Sequence, residues 1–387
     1  MANVKTVLRE LSIAYYLYCL INHTVQNDLN PQNFAEVCQK ILTNSQDATV
    51  TKEINKVKDL DNFKEYRDIL INAEKLAKII VSNRAFNLNK ISTINWVGSK
   101  TKKDNNTDLM INSYEFSLKE DSYILRNMGL YYLINCLTGE NRKQGLHIFR
   151  EYALQEFNQW FVYTYEGLIK YLQNNDNEWT YKSNNYESSM ILKGKELTLC
   201  YKKKNQSIIK ISLPLELQSE EDFNSRMNSK LIEYSFSKWI NQHFSTDSQY
   251  LYLKKYCSEQ AGKNLIKFLK KNLSYNNPKF KRLLQIYPNT YYYAKSTEQG
   301  QYIYKVPSEE EFTDTIQVSQ ITYQVTKSQL NILTTLLNTT TQKKLILRNE
   351  LRYSHGQFKG TPEAKLYLAS DEKSLESIYL PIYPSNS

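Results

Sequence analysis

The sequence predicts an α+β protein, and three observations predict it. The first ninety residues carry helical spacing, the texture turns to short β-branched runs at Asn87, and the chain after Pro288 is rich in strand patterns. The chain has 387 residues, 41% hydrophobic and 23% charged, which places it in the globular class with room for two or three domains. Ten Gly and eight Pro leave little material for long flexible linkers. The divisions expected are a helical N-terminal region plus core over 1–175, a hairpin and basic helical region over 176–300, and a strand-rich region over 301–387.

Val4 to Asn22 is apolar all round and predicts a buried helix. Pro31 opens a shorter amphipathic piece, Phe34 to Leu42. Asp61 to Ser82 has Phe63, Tyr66, Leu70, Ala73, Ala77 and Ile80 at three- and four-residue spacing, with Asp61 as the expected N-cap. Ile91 to Val97 predicts a strand ending at Gly98. A polar loop with Lys100, Lys102 and Lys103 leads into Asp108–Ile111 and Tyr114–Lys119, a hairpin turning at Asn112-Ser113. Ser122 to Leu137 returns to helical spacing and Gly139 stops it. Leu146 to Leu172 predicts one long helix, Asn174 to Asn185 a loop, and Glu196–Lys202 with Ser207–Leu213 a second hairpin. Glu220–Phe244 and Gln249–Leu273 predict helices. Strands are expected at Thr290–Ala294, Gln301–Val306, Thr315–Val325, Leu345–Arg352 and Ala364–Leu368.

Fifty basic against forty acidic residues give a formal charge of +10, which favours a polyanionic partner. The 31 tyrosines are consistent with the codon usage of an AT-rich genome and carry no functional weight as a group. Five scattered cysteines, with no CxxC pair, exclude a disulfide framework and a cysteine zinc site. Four histidines without HExxH exclude a His-rich metal centre, and no GxxxxGK[ST], GxGxxG or GxSxG is present. Lys5, Arg9 and Glu10 interrupt the N-terminus, and the apolar run Leu11–Ile21 is too short to span a bilayer, so a cytoplasmic location and no membrane partner are expected.

The chemistry-bearing stretch is Thr107 to Lys119. Strand alternation puts Glu115, Ser117 and Lys119 on one face and Phe116 and Leu118 on the other, so the polar face is expected to look onto a cleft or solvent. Asp108 opens the partner strand. A carboxylate beside a lysine is what phosphodiester hydrolysis asks for: the carboxylate holds a hard divalent cation, and the lysine orients attacking water and stabilises the transition state.

Thr107-Asp108 followed by Phe116-Ser117-Leu118-Lys119 resembles the PD-(D/E)xK nuclease superfamily, especially type II restriction endonucleases. The resemblance covers about thirty residues, Trp96 to Arg126. It implies a mixed sheet flanked by helices, Mg²⁺ as cofactor, double-stranded DNA as substrate, Asp108 as metal ligand and Lys119 as catalytic lysine. Thr107 stands where the family has Pro, and Ser117 replaces the second acid, so a carboxylate must come from elsewhere. Glu115 on the same strand face and Glu74 on the preceding helix are the candidates, with Glu140 third. Ordinary surface hairpins also present such faces; the basic balance and the lysines at 100, 102 and 103 favour the nuclease reading.

Two further stretches fit nucleic acid. Leu345–Lys365 runs strand, polar loop, strand, with Arg348, Arg352, His355, Gln357 and Lys359 as candidate DNA contacts; Arg and Gln suit guanine and adenine edges, and an ordinary surface turn accounts for the loop equally well. Lys263, Lys267 and Lys270 share a helical face opposite Leu265 and Leu269, where a solvated lysine face is the plainer account. The function expected is a metal-dependent, sequence-specific endonuclease, homodimeric if its target is palindromic. A non-catalytic DNA-binding protein on the same scaffold and a basic protein-interaction module are the competing classes.

Overall fold

The structure is a computed structural model, and it describes residues 4–24, 29–88, 90–98, 106–119, 124–143, 147–204, 206–217, 219, 221–222, 230–274, 277–298, 300–353, 358 and 362–384. It is an α+β protein. Four helices open the chain: α1 (Val4–Ile21), α2 (Pro31–Ile41), α3 (Ala48–Lys58) and α4 (Arg67–Ser82). The strands β1 (Ile94–Trp96), β2 (Leu109–Ile111), β3 (Tyr114–Lys119) and β4 (Ile124–Gly129) follow, then α5 (Leu130–Thr138), α6 (Ile148–Tyr152) and α7 (Leu154–Gln173). A meander comes next: β5 (Glu178–Lys182), β6 (Tyr186–Lys193), β7 (Glu196–Lys203) and β8 (Ile209–Pro214). Among the described residues, α8 (Lys230–Trp239), continued by a π-helical turn over Ile240–Phe244, then α9 (Ser248–Lys271) and α10 (Pro278–Leu283) lead to β9 (Tyr291–Thr297) and β10 (Gly300–Val306). The last strands are β11 (Ile316–Thr326), β12 (Gln329–Asn338), β13 (Lys344–Arg352), β14 (Glu363–Leu368) and β15 (Leu380–Tyr383).

The sheet that matters most is six-stranded, in the order β1-β2-β3-β9-β10-β15. β1, β2 and β3 are antiparallel neighbours, whereas β3 lies parallel to β9 with Phe116 opposite Tyr292 and Lys119 opposite Lys295. One face of this mixed sheet is closed by the N-terminal helices: Leu8, Leu11, Leu76 and Ile80 share a core with Trp96, Leu109, Phe116 and Leu118. The other face feeds Tyr291, Tyr293, Tyr304 and Val306 into a second core. Burial on both faces explains why β3 is apolar at 116 and 118 and still has Ser117 fully buried, 0% exposed, beside Tyr293. The expectation of an open polar face holds only in part: Glu115 and Lys119 are half-buried, and Ser117 between them is buried.

The hairpin turn forms as expected. Ile111 pairs with Tyr114, and Asn112 takes φ 51°, a left-handed position that asparagine tolerates. Asn112 Oδ1 accepts from Ser92 and Thr93 and its amide donates to the Lys90 carbonyl, tying the approach to β1 onto the turn.

Several elements differ from the sequence expectation. Asp61 is not an N-cap, because a 3-10 turn over Lys64–Tyr66 precedes α4. Ser122–Leu137 is not one helix: Ile124–Gly129 is a strand recruited by β14, and only Leu130–Thr138 is helical. Gly139 ends α5 at φ 77°, its N–H bonded to the Asn135 carbonyl, as predicted. The long helix breaks at Ala153 (φ −157°, ψ 47°) into α6 and α7. The Asn-rich stretch after 174 contains β5, whose Trp179 is buried between exposed Glu178 and Thr180.

A five-stranded sheet, β11-β12-β13-β14-β4, and a four-stranded one, β5-β6-β7-β8, complete the molecule. Buried Met190, Leu197 and Leu199 of the latter share a core with Phe161 and Leu168 of α7. Among the described residues no helix is long and apolar enough to cross a membrane.

Candidate active site

Asp108 and Lys119 come together. The backbone of Asp108 is held on both sides, its N–H on the Phe116 carbonyl at 2.8 Å and its carbonyl accepting from Val97 at 2.9 Å. Its Oδ2 accepts from the Leu118 N–H at 2.7 Å, lies 3.5 Å from Ser117 Oγ and 3.7 Å from Lys119 Nζ. The carboxylate therefore caps the ladder of β3 and faces the lysine. The side chains of Lys119 and Asp108 are 16% and 13% exposed, so the pair is largely shielded from solvent.

The sequence reading missed a third member of this cluster. Glu10, on α1, is buried, 3% exposed, and its carboxyl is pushed up to about 8, first by burial and then by the Asp108 charge; Arg9, a hydrogen bond from Trp96 and Lys119 pull the other way. Trp96 Nε1 donates to Glu10 Oε2 at 2.7 Å, and Arg9 lies 3.4 Å from Oε1. Gly98 makes the close approach possible: a Cβ there would overlap Glu10 Oε2 and stand 2.8 Å from Trp96 Nε1. An acid inside a helix that is otherwise apolar all round was the available signal.

The two carboxylates expected to replace the acid at Ser117 behave differently. Glu74 pairs with Lys78 at 2.6 Å and is 41% exposed; it lines a depression of about 340 Å³ with Tyr15, Tyr16 and His23. Its ion-pair partner is Lys78 rather than the Asp108–Lys119 pair. Glu115 stays near the pair, accepting from Thr107 Oγ1 at 2.6 Å, one residue before Asp108. Glu140 is taken up by Arg142 Nε at 2.6 Å.

Of the candidate DNA contacts, Lys100, Lys102, Lys103, His355, Gln357 and Lys359 lie outside the described residues. Arg348 and Arg352 are on β13. Arg348 donates to Asn331 Oδ1 at 3.2 Å and its guanidinium stands 4.4 Å from the Tyr367 ring centre; Arg352 pairs with Glu350 at 2.9 Å. Lys263, Lys267 and Lys270 form an exposed stripe on α9, with Leu265 and Leu269 buried behind it.

Among the described residues no group of three or more His, Cys, Asp or Glu side chains is placed to hold a metal ion. What is present is a pair of carboxyls, Asp108 and Glu10, with the Asp108 charge adding to the cost of ionising buried Glu10. No family model, no curated protein and no solved structure matches the chain.

Proposed function

We propose that the chain is a metal-dependent, sequence-specific double-strand DNA endonuclease of the restriction type. The observation that carries it is the convergence of Asp108 and Lys119 from the two sides of the β2–β3 hairpin, 3.7 Å apart, in a mixed sheet with helices packed against it. Glu10 supplies what Ser117 lacks, a second carboxylate in electrostatic contact with both.

The donor set fits a hard divalent cation. Mg²⁺ takes only one or two protein carboxylates and keeps waters or substrate oxygens for the rest of its shell. Asp108 and Glu10 would hold it, with Glu115 the alternative second ligand, and a buried Glu10 whose charge is disfavoured by burial and by Asp108 is a group that a divalent cation relieves. When bound, the ion supplies positive charge to the scissile phosphate and lowers the pKa of its water.

The chain's own residues do the remainder. Lys119 is held toward the Asp108 carboxylate and can turn its ammonium donors to an attacking water and to the phosphoryl oxygens as charge grows on them. Leu118 N–H fixes one Asp108 oxygen, so the carboxylate keeps its orientation without the metal. Ser117, buried against Asp108, is a packing and positioning residue rather than a ligand.

The experiment is cleavage of plasmid DNA by the purified protein in Mg²⁺. Discrete cuts that fall by about 10²- to 10⁴-fold in Asp108→Asn and Lys119→Ala are expected, the range of losing a preorganised charge or acid–base partner. Binding without cutting in both Mg²⁺ and Mn²⁺ overturns the enzyme and leaves a DNA-binding protein. Loss of DNA affinity as well leaves the basic surface to an acidic protein partner.

A further inference from the structure

The five-stranded sheet has two faces of different chemistry. Leu330, Ile332, Leu347 and Leu366 on one face join the large core, and α9 packs there with Gly262 against Tyr323 and Leu330. The pleat sends Asn331, Arg348, Glu350, Lys365 and Asn127 to the other face, where Asn331 and Glu350 are buried, Arg348 and Lys365 half-buried and Asn127 exposed. The register sets Asn331, Glu350, Lys365 and Asn127 in one rung across β12, β13, β14 and β4, with Arg348 opposite Tyr367 in the next.

The central group is ordered. Asn331, 2% exposed, accepts from Arg348 Nη1, and the Tyr367 ring lies 4.4 Å from the guanidinium. The Glu350 carboxylate feels the Arg348 charge but pairs directly with Arg352, so Arg348 keeps donors of its planar fork for a ligand. Beside it Lys365 is half-exposed and Asn127 exposed. Arg and Lys match the two acceptors of a guanine edge, and Asn matches the donor and acceptor of an adenine edge. The outer strands of the trio β13, β14 and β4 lie roughly 10 Å apart at ordinary strand spacing, comparable to a major groove of about 12 Å.

The sheet also has a fixed relation to the catalytic pair. β4, its edge strand, begins at Ile124, five positions after Lys119. Five residues span at most about 18 Å, and two strand spacings from β4 to β13 add about 10 Å. The sum is under one helical turn of duplex, about 34 Å.

We propose that this face is the base-reading surface of the enzyme. Arg348 and Lys365 read guanine and Asn127 reads adenine in a duplex whose scissile phosphate lies at Asp108–Lys119, while Asn331 and Tyr367 position Arg348. The proposal rests on the nuclease reading and adds to it that recognition and cutting fall within one helical turn of each other.

The test uses the full chain carrying Asp108→Asn, so that DNA is bound without being cut. A pool of random duplexes is selected for binding and sequenced, and the preferred site and an unrelated duplex are titrated with the Arg348→Met, Lys365→Met and Asn127→Ala variants. Unfolding midpoints are measured for each; Asn127 is exposed on an edge strand and its truncation leaves the fold intact. A defined motif is expected from the parent, with cuts in the active enzyme inside one turn of it. Arg348→Met and Lys365→Met each relax one G·C position and Asn127→Ala one A·T position, with about 10- to 100-fold weaker binding of the preferred site. Affinity for the unrelated duplex changes by no more than about 3-fold, because phosphate contacts carry that binding. An unchanged motif in all three variants overturns the proposal, as does a parent that selects no motif. With an unchanged motif, plasmid cleavage by the active enzyme and the nuclease reading still stand; with no motif, metal-dependent cleavage stands but its sequence specificity falls too. Failure of the parent to bind any duplex overturns both.

Discussion

At the scale of single residues, Glu10 separates catalytic value from stability. Its folded pKa of about 8 lies above the ordinary 4.5, so the folded state penalises its ionised form. Below the ordinary value both folded and unfolded chains hold the proton and nothing is lost. As pH rises toward 8 the unfolded chain ionises first, and stability drains away by an amount on the order of several kcal/mol. Glu10→Gln removes that drain. In chelator, its melting temperature is expected to exceed that of the parent at pH 8, with the difference shrinking toward pH 5, while cleavage in Mg²⁺ falls at least about 100-fold. A thermal melt series showing a less stable variant at pH 8 refutes the placement of the carboxylate. Gly98→Ala should mimic the catalytic loss, because the new Cβ occupies the position of Glu10 Oε2. Glu74→Ala, whose partner is Lys78 at the surface, is expected to cut within about 3-fold of the parent, and comparison of these rates in one plasmid assay ranks the acids.

At the scale of elements, the hairpin was legible and its surroundings were not. Alternation from Glu115 to Lys119 and the Asn112-Ser113 turn are local features, and they place Asp108 opposite the end of β3 without outside information. The strand β4 could not be read from Ile124–Gly129, because its state is decided by β14, more than two hundred positions downstream. The same holds for the second acid. A helix periodic in Leu70, Ala73 and Ala77 drew attention to Glu74, whereas Glu10 needed knowledge of which helix meets β1. A comparable long-range link fixes β9 from behind: Lys295 and Glu372 pair at 2.7 Å with side chains 3% and 6% exposed, and the Tyr293 hydroxyl donates to the same carboxylate at 2.7 Å. Lys295→Met leaves that acid buried without its cation and is expected to cost about 3–5 kcal/mol in urea unfolding. Adding Glu372→Gln should recover part of it; a double variant as unstable as the sum of the singles denies the coupling.

At the scale of the whole molecule, the chain crosses between its sheets repeatedly. β3 belongs to the six-stranded sheet, β4 to the five-stranded one, and β9 returns to stand parallel to β3. Among the described residues, the successive strands β3 and β4 fall in different sheets, which ties the sheet carrying Arg348 to the strand carrying Lys119. The same topology governs when the molecule can act. Lys119 leaves the ribosome long before Lys295, its neighbour across the β3–β9 pair, and at ordinary translation speeds the interval is on the order of ten to thirty seconds. Through that interval the edge of β3 has no parallel strand to lean on, and Ser117 lacks the tyrosine that covers it. Under the nuclease reading, a chain still being made lacks the strand that completes its sheet, so full cutting activity waits until β9 has been added.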